Sequence, residues 1–159
     1  INPDVVRDEY GADALRCFIL FLGPMDRDKP WSPSGIVGVK KFLERVWRLC
    51  ISDDGQFVGD DSEIPVELEK VLHKTIKKVG EDIESLSFNT CISALMILVN
   101  ETYQHKCHSK KLLKPLVSLL APFAPHICEE IWEAMGEKSF SSLSPWPEYN
   151  PKLTVDDTV

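Results

Sequence analysis

Five stretches of this 159-residue sequence carry apolar side chains at alternating spacings of three and four residues, and proline stands at or near the start of most of them. That period buries one face of a helix and leaves the other to solvent, a pattern no strand satisfies. Proline suits the starts because its missing N–H falls where a helix has unpaired donors anyway. Ile36, Val39, Leu43, Val46, Trp47 and Cys50 form the clearest stripe and predict a helix from Pro33, behind a Ser32 cap, to about Ile51. Pro65 opens a long helix to about Leu86, striped by Leu68, Leu72, Ile76, Val79 and Ile83 and interrupted only by Gly80. Ser87 or Asn89 caps the next, which carries Ile92, Leu95, Met96, Val99 and Tyr103. Leu112 to Leu120 is again helical, with Pro115 implying a late start near Lys114 or a local kink. Pro125 begins a helix through His126, Ile127, Ile131, Trp132 and Met135 that Gly136 stops.

Upstream, Asn2 and Pro3 begin a short helix over 3–10, Gly11 stops it, and Ala12 to Leu22 forms a second with Leu15, Phe18, Ile19 and Leu22 on one face. Residues 24–32 read as an irregular link. Residues 52–64 hold Gly55, Gly59 and five acids without helical period and read as a solvated, mobile loop. Amphipathic helices joined by short connections predict an all-α fold, an antiparallel helix bundle over 33–136. A small docking region over 1–32 precedes it and an irregular tail over 137–159 follows.

The longest apolar stretches fall short of the ~20 residues that cross a bilayer, so no membrane span is expected. Ile1 rather than Met, with no signal-peptide zones after it, reads as the start of an excised piece. Five widely spaced cysteines, an odd number and mostly among apolar neighbours, point to free thiols in a reducing, cytoplasmic compartment. His105, Cys107 and His108 lack the paired Cys-x-x-Cys of a structural metal site, so no metal is expected.

A net charge of −7 argues against indiscriminate nucleic-acid binding, yet it averages over faces that differ. Bases gather at Lys40, Lys41, Arg45 and Arg48, then at Lys70, Lys74, Lys77 and Lys78, and again from Lys106 to Lys114. Taken alone, any one cluster is more readily a solvated helix face than a site. No phosphate-cradling glycine loop, zinc-protease helix or Gly-x-Ser-x-Gly elbow is present, and none of the four histidines stands in a nucleophile signature. From the residues alone, the chain is a helical bundle with locally basic faces that binds RNA, protein or nothing.

Two blocks narrow this. The segment Asn2-Pro3-Asp4-Val5-Val6-Arg7-Asp8-Glu9-Tyr10-Gly11-Ala12-Asp13-Ala14-Leu15-Arg16 resembles the stretch just downstream of the KMSKS loop in class I aminoacyl-tRNA synthetases. Leu119-Leu120-Ala121-Pro122-Phe123-Ala124-Pro125-His126-Ile127-Cys128-Glu129-Glu130-Ile131-Trp132 resembles the hallmark of their helical anticodon-binding domain. Within that class, Phe21-Leu22-Gly23-Pro24-Met25 with Lys29-Pro30-Trp31-Ser32, the run from Gly35 to Leu49, and Phe88 to Met96 are similar to the leucyl-tRNA synthetase family, bacterial or organellar type.

The resemblance implies a parent leucine-tRNA ligase that uses ATP and Mg to attach leucine to tRNA(Leu), acting as a cytoplasmic monomer. It also implies that the nucleotide-binding fold, both ATP signatures and the editing domain lie outside these residues. Residues 1–32 would then follow the catalytic domain, and this piece would position tRNA with no catalytic residue and no cofactor of its own. Its partners would be tRNA(Leu) and the remaining domains of the same polypeptide. The best phosphate contacts are Lys40, Lys41, Arg45 and Arg48, with Lys74, Lys77 and Lys78 second. Trp31 reads as packing in preference to base stacking, and His126 as a structural hydrogen-bonder at a helix start. The competing reading is a non-enzymatic helical module that binds tRNA or protein.

Overall fold

Asn2 accepts the backbone N–H of Asp4 at 2.9 Å, and α1 (Pro3–Tyr10) follows from that cap. In the computed structural model, which describes residues 1–156, six more helices succeed it: α2 (Ala12–Phe21), α3 (Pro33–Cys50), α4 (Val66–Glu84), α5 (Phe88–Gln104), α6 (Lys110–Leu120) and α7 (Pro125–Ala134). Gly11 joins α1 to α2 at φ 92° and ψ 158°, a conformation that only glycine adopts without strain. The described part of the tail adds two short 3-10 turns, over Ser141–Leu143 and Pro151–Leu153. Residues 157–159 of the expected tail lie outside the described residues.

The antiparallel bundle is organised around α5. It pairs with α4 through a three-residue turn, Ser85–Ser87, and also touches α2, α3 and α6. Contact on several sides explains why its buried face is wider than the expected stripe: Cys91, Ala94, Leu98 and Thr102 are buried as well, while Met96 and Tyr103 are only half-buried. In α3, Phe42 and Leu49 join the core and Trp47 stays half-exposed.

α2 is turned from the orientation its larger side chains imply. Ala14, Cys17 and Phe18 are buried, and Ile19 of the expected face is 51% exposed. Small residues face inward because the approach is close. A Cβ added to Gly35 of α3 would stand 2.5 Å from the Phe18 ring, which itself meets Trp31 edge-on at 5.1 Å. Trp31 therefore packs, as its residue type suggests.

Two local expectations change. α6 begins at Lys110, where Ser109 accepts the N–H of Lys111 at 3.3 Å, so Pro115 stands inside the helix and the start is not delayed to Lys114. The cap supplies an earlier nucleus than the proline pattern alone suggests. Residues 52–64 are backbone-paired instead of free: Ile51 bridges Phe57, and Val58 N–H donates to the Cys50 carbonyl at 2.9 Å. Asp60 exchanges backbone hydrogen bonds with His108 and Lys110 at 2.8 and 2.9 Å, tying this loop to the α5–α6 connection. The tail also folds back, with the Asn150 N–H donating to His73 Nδ1 of α4 at 2.8 Å.

Candidate nucleic-acid interface

α3 carries Lys40, Lys41, Arg45 and Arg48 within about 140° of arc at 3.6 residues per turn, clear of its buried stripe. Glu44 stands within the same arc and lines the same groove as Lys40 and Arg48, so the face is positive on balance and not free of acid. The Arg45 guanidinium lies 4.8 Å from the Tyr103 ring centroid, and its Nη1 donates to Asn100 Oδ1 at 2.6 Å. The Tyr103 hydroxyl donates in turn to the Arg45 carbonyl at 2.6 Å. Burial pushes the Tyr103 hydroxyl pKa up, against the downward pull of Arg45 and Arg48 nearby. Lys40 Nζ sits 5.7 Å from the Tyr10 ring, and Arg48 Nε reaches the Glu44 carbonyl at 3.4 Å. Lys41 is exposed, with no side-chain partner among the described residues. None of the four pairs with a carboxylate among the described residues.

The cations of α4 are placed differently. Lys78 pairs with Asp82 at 3.0 Å, and Asp82 also accepts the Thr90 hydroxyl at 2.5 Å. Lys74 pairs with Asp156 of the tail, and its hydrogen bond and charge hold that carboxyl below its ordinary 3.8. Lys77 is half-buried and lines a groove of about 1100 Å³ between α4, Phe123 and the tail residues Trp146 and Tyr149.

Lys40 and Arg48 edge a second groove, of about 840 Å³, between the α1–α2 turn, α3 and the first turn of α7, with Tyr10, Trp47 and His126. Lys41 and Arg45 lie on the neighbouring side of α3, toward α5. The seven expected residues thus fall into two separate patches, one on α3 and one on α4.

The two sequence blocks far apart in the chain meet directly. Asp13 of α2 accepts the backbone N–H groups of His126 and Ile127 at 3.2 and 2.7 Å, capping α7 from another helix. Arg16 donates to the Pro122 carbonyl at 2.9 Å, and the Cys17 thiol to that of Phe123 at 3.4 Å. The hydrogen bond His126 makes at this helix start is therefore made by its backbone, while the residue stands exposed at the groove. Asp13 was not singled out from sequence. The signal was that α7 opens Ala124-Pro125 with no capping side chain of its own.

Burial pushes the Cys17 and Cys50 thiols up to about 12 and Cys91 to about 11, so these are packing groups and not nucleophiles. No group of three or more His, Cys, Asp or Glu among the described residues is placed to hold a metal ion.

Residues 67–159 match the family described as the anticodon-binding domain of tRNA ligase. The chain belongs to that family. This anticodon-binding domain is 57% identical over its whole length to a leucine–tRNA ligase of Bdellovibrio bacteriovorus and 45% identical to that of Bacteroides thetaiotaomicron, covering 20% and 17% of those proteins. It spans about a fifth or less of the length of these curated relatives. Among solved structures, it is similar to the ternary LeuRS–tRNA–LeuAMS complex of Agrobacterium radiobacter K84 agnB2, with TM-score 0.80 and 37% identity over 98% of this chain and 22% of that one. No helix among the described residues is long and apolar enough to cross a membrane.

Proposed function

We propose that this anticodon-binding domain positions tRNA(Leu) for a leucine-tRNA ligase of which it forms one part, and takes no share in the chemistry. The ligase joins leucine to tRNA at the expense of ATP with Mg, at sites in other domains, and works as a cytoplasmic monomer. Residues 1–32 dock the bundle over 33–136 onto those domains; Ile1, Val5 and Ile19 are more than half exposed on that region and available for such contact. Lys40, Lys41, Arg45 and Arg48 meet tRNA phosphates, with Lys74, Lys77 and Lys78 as a secondary patch.

The observation that carries this reading is the chemistry around the α3 cations. Aromatic rings, an amide and a backbone carbonyl hold three of them without cancelling their charge, which leaves the face positive within an acidic chain. Each phosphate neutralised by such a face releases counterions. Replacing all four by neutral residues in the complete gene product is expected to weaken tRNA binding and flatten its log–log salt dependence, by up to ~0.7–0.9 for each phosphate no longer neutralised. An unchanged slope and affinity would return the face to solvent. The 159-residue chain alone is expected to show no leucine-dependent ATP–pyrophosphate exchange, and exchange above a no-protein control would refute that assignment.

A further inference from the structure

We infer that Asn100 and Tyr103 of α5 are positioning residues that hold Arg45 as a phosphate-binding fork on the α3 face. This rests on the reading of α3 as the tRNA-facing helix and adds a specific site to it: one phosphodiester of the bound RNA, taken by Arg45 with Lys41 beside it.

A guanidinium has five N–H donors in a rigid plane, and two of its edges match two oxygens of a phosphate. On an exposed helix the long stem is free, and ordering it at the moment of binding costs affinity. Here the ordering is done beforehand. The Tyr103 ring supports the guanidinium at 4.8 Å, and Asn100 Oδ1 takes one Nη1 proton at 2.6 Å. The hydroxyl of the same tyrosine is bonded to the Arg45 carbonyl at 2.6 Å, so the ring is fixed to the backbone of the residue it supports. Nε and Nη2, which together form one bidentate edge, have no partner among the described residues.

The partners are also of the right kind. A carboxylate would hold the guanidinium as well but would neutralise it and repel phosphate; an amide oxygen and a π face do neither. Lys41 stands one turn earlier on the same side of α3, exposed and without a partner among the described residues. The simpler alternative is that the trio only fastens α3 to α5, and the two differ in what they predict for RNA.

The test uses the complete gene product and a tRNA(Leu) transcript, with dissociation constants measured across a series of KCl concentrations and thermal midpoints measured in parallel. Arg45→Ala is expected to weaken binding at least about tenfold, through removal of a charge-assisted hydrogen bond, and to lower the salt slope by ~0.7–0.9. Asn100→Ala and Tyr103→Leu are each expected to weaken binding about two- to twelve-fold, the cost of ordering one long side chain on binding. Neither is expected to weaken it further in an Arg45→Ala background. Tyr103→Phe keeps the ring and is expected to restore most of the affinity that Tyr103→Leu removes. If Arg45→Ala weakens binding while Asn100→Ala and Tyr103→Leu change only the thermal midpoint, the positioning role is overturned and the α3 reading stands. If Arg45→Ala and the fourfold α3 variant both leave affinity and slope unchanged, the α3 reading itself fails.

Discussion

α3 and α4 each carry four basic side chains, lysines and arginines on α3 and lysines alone on α4, but the cations meet opposite kinds of neighbour. On α4, Lys78 and Lys74 are answered by Asp82 and Asp156, and their charge is spent inside the molecule. On α3, Arg45 and Lys40 are held by the rings of Tyr103 and Tyr10 and keep theirs. A run of bases in sequence therefore says how much charge a helix carries and nothing about how much it offers. The offer is decided by the partners each cation meets: α5 and α1 for α3, and for α4 the tail together with Asp82 one turn along the same helix.

Unseating α3 gives the largest expected effect. Gly35→Ala pushes a Cβ to within 2.5 Å of the buried Phe18 ring, and overpacking of that kind costs about 1–3 kcal/mol. The thermal midpoint is expected to fall by several degrees; a calorimetric trace unchanged from wild type would show that α2 and α3 adjust freely. Next, Asn100→Asp places a carboxylate against Arg45 and gives α3 the character of α4. Affinity for tRNA is expected to drop about tenfold with a lower salt slope, as the partner's charge offsets the guanidinium. Equal binding by the variant would end the contrast between the helices.

The reverse exchange is smaller. Asp82→Asn keeps an acceptor for the Thr90 hydroxyl but releases Lys78, and is expected to raise the salt slope of tRNA binding by at most ~0.7–0.9 with a gain in affinity at low salt. No change would mean that α4 does not face RNA at all. Smallest is Lys78→Ala, which removes an ion pair whose lysine side chain is 53% exposed, and is expected to shift stability by under ~1 kcal/mol in chemical denaturation.

Most helices were legible in the sequence because their cause is local. The three-and-four spacing of Leu68, Leu72, Ile76 and Val79, and prolines such as Pro33 and Pro125 at helix starts, act within one or two turns. What was not legible depends on residues distant in the chain. The rotation of α2 is set by Gly35 and Phe123, the tie of Asp60 to the α5–α6 connection by the backbone of residues 108–110, and the cap of α7 by Asp13. The candidate site divides the same way. Sequence named the basic residues of α3 but not Asn100, and it read Tyr103 only as part of the apolar stripe of α5; they lie 55 and 58 positions beyond Arg45, in another helix's pattern.

The cap on α7 has a consequence for how the chain reaches its fold. A helix of ten residues is too short to persist alone in water, and the N–H groups of its first turn are answered by a carboxylate 113 and 114 positions earlier. The α4–α5 hairpin, closed by a three-residue turn, forms from near neighbours and belongs to the fast events of folding. α7 packs on its neighbour α6, but its cap is completed only when α2 docks, because closing so long a loop carries its entropy cost before any contact repays it. The contact between α2 and the start of α7 is therefore expected to form later than the α4–α5 hairpin. Opening of that junction is the first unfolding event expected in hydrogen exchange, with the amides of His126 and Ile127 losing protection together once α2 lifts away.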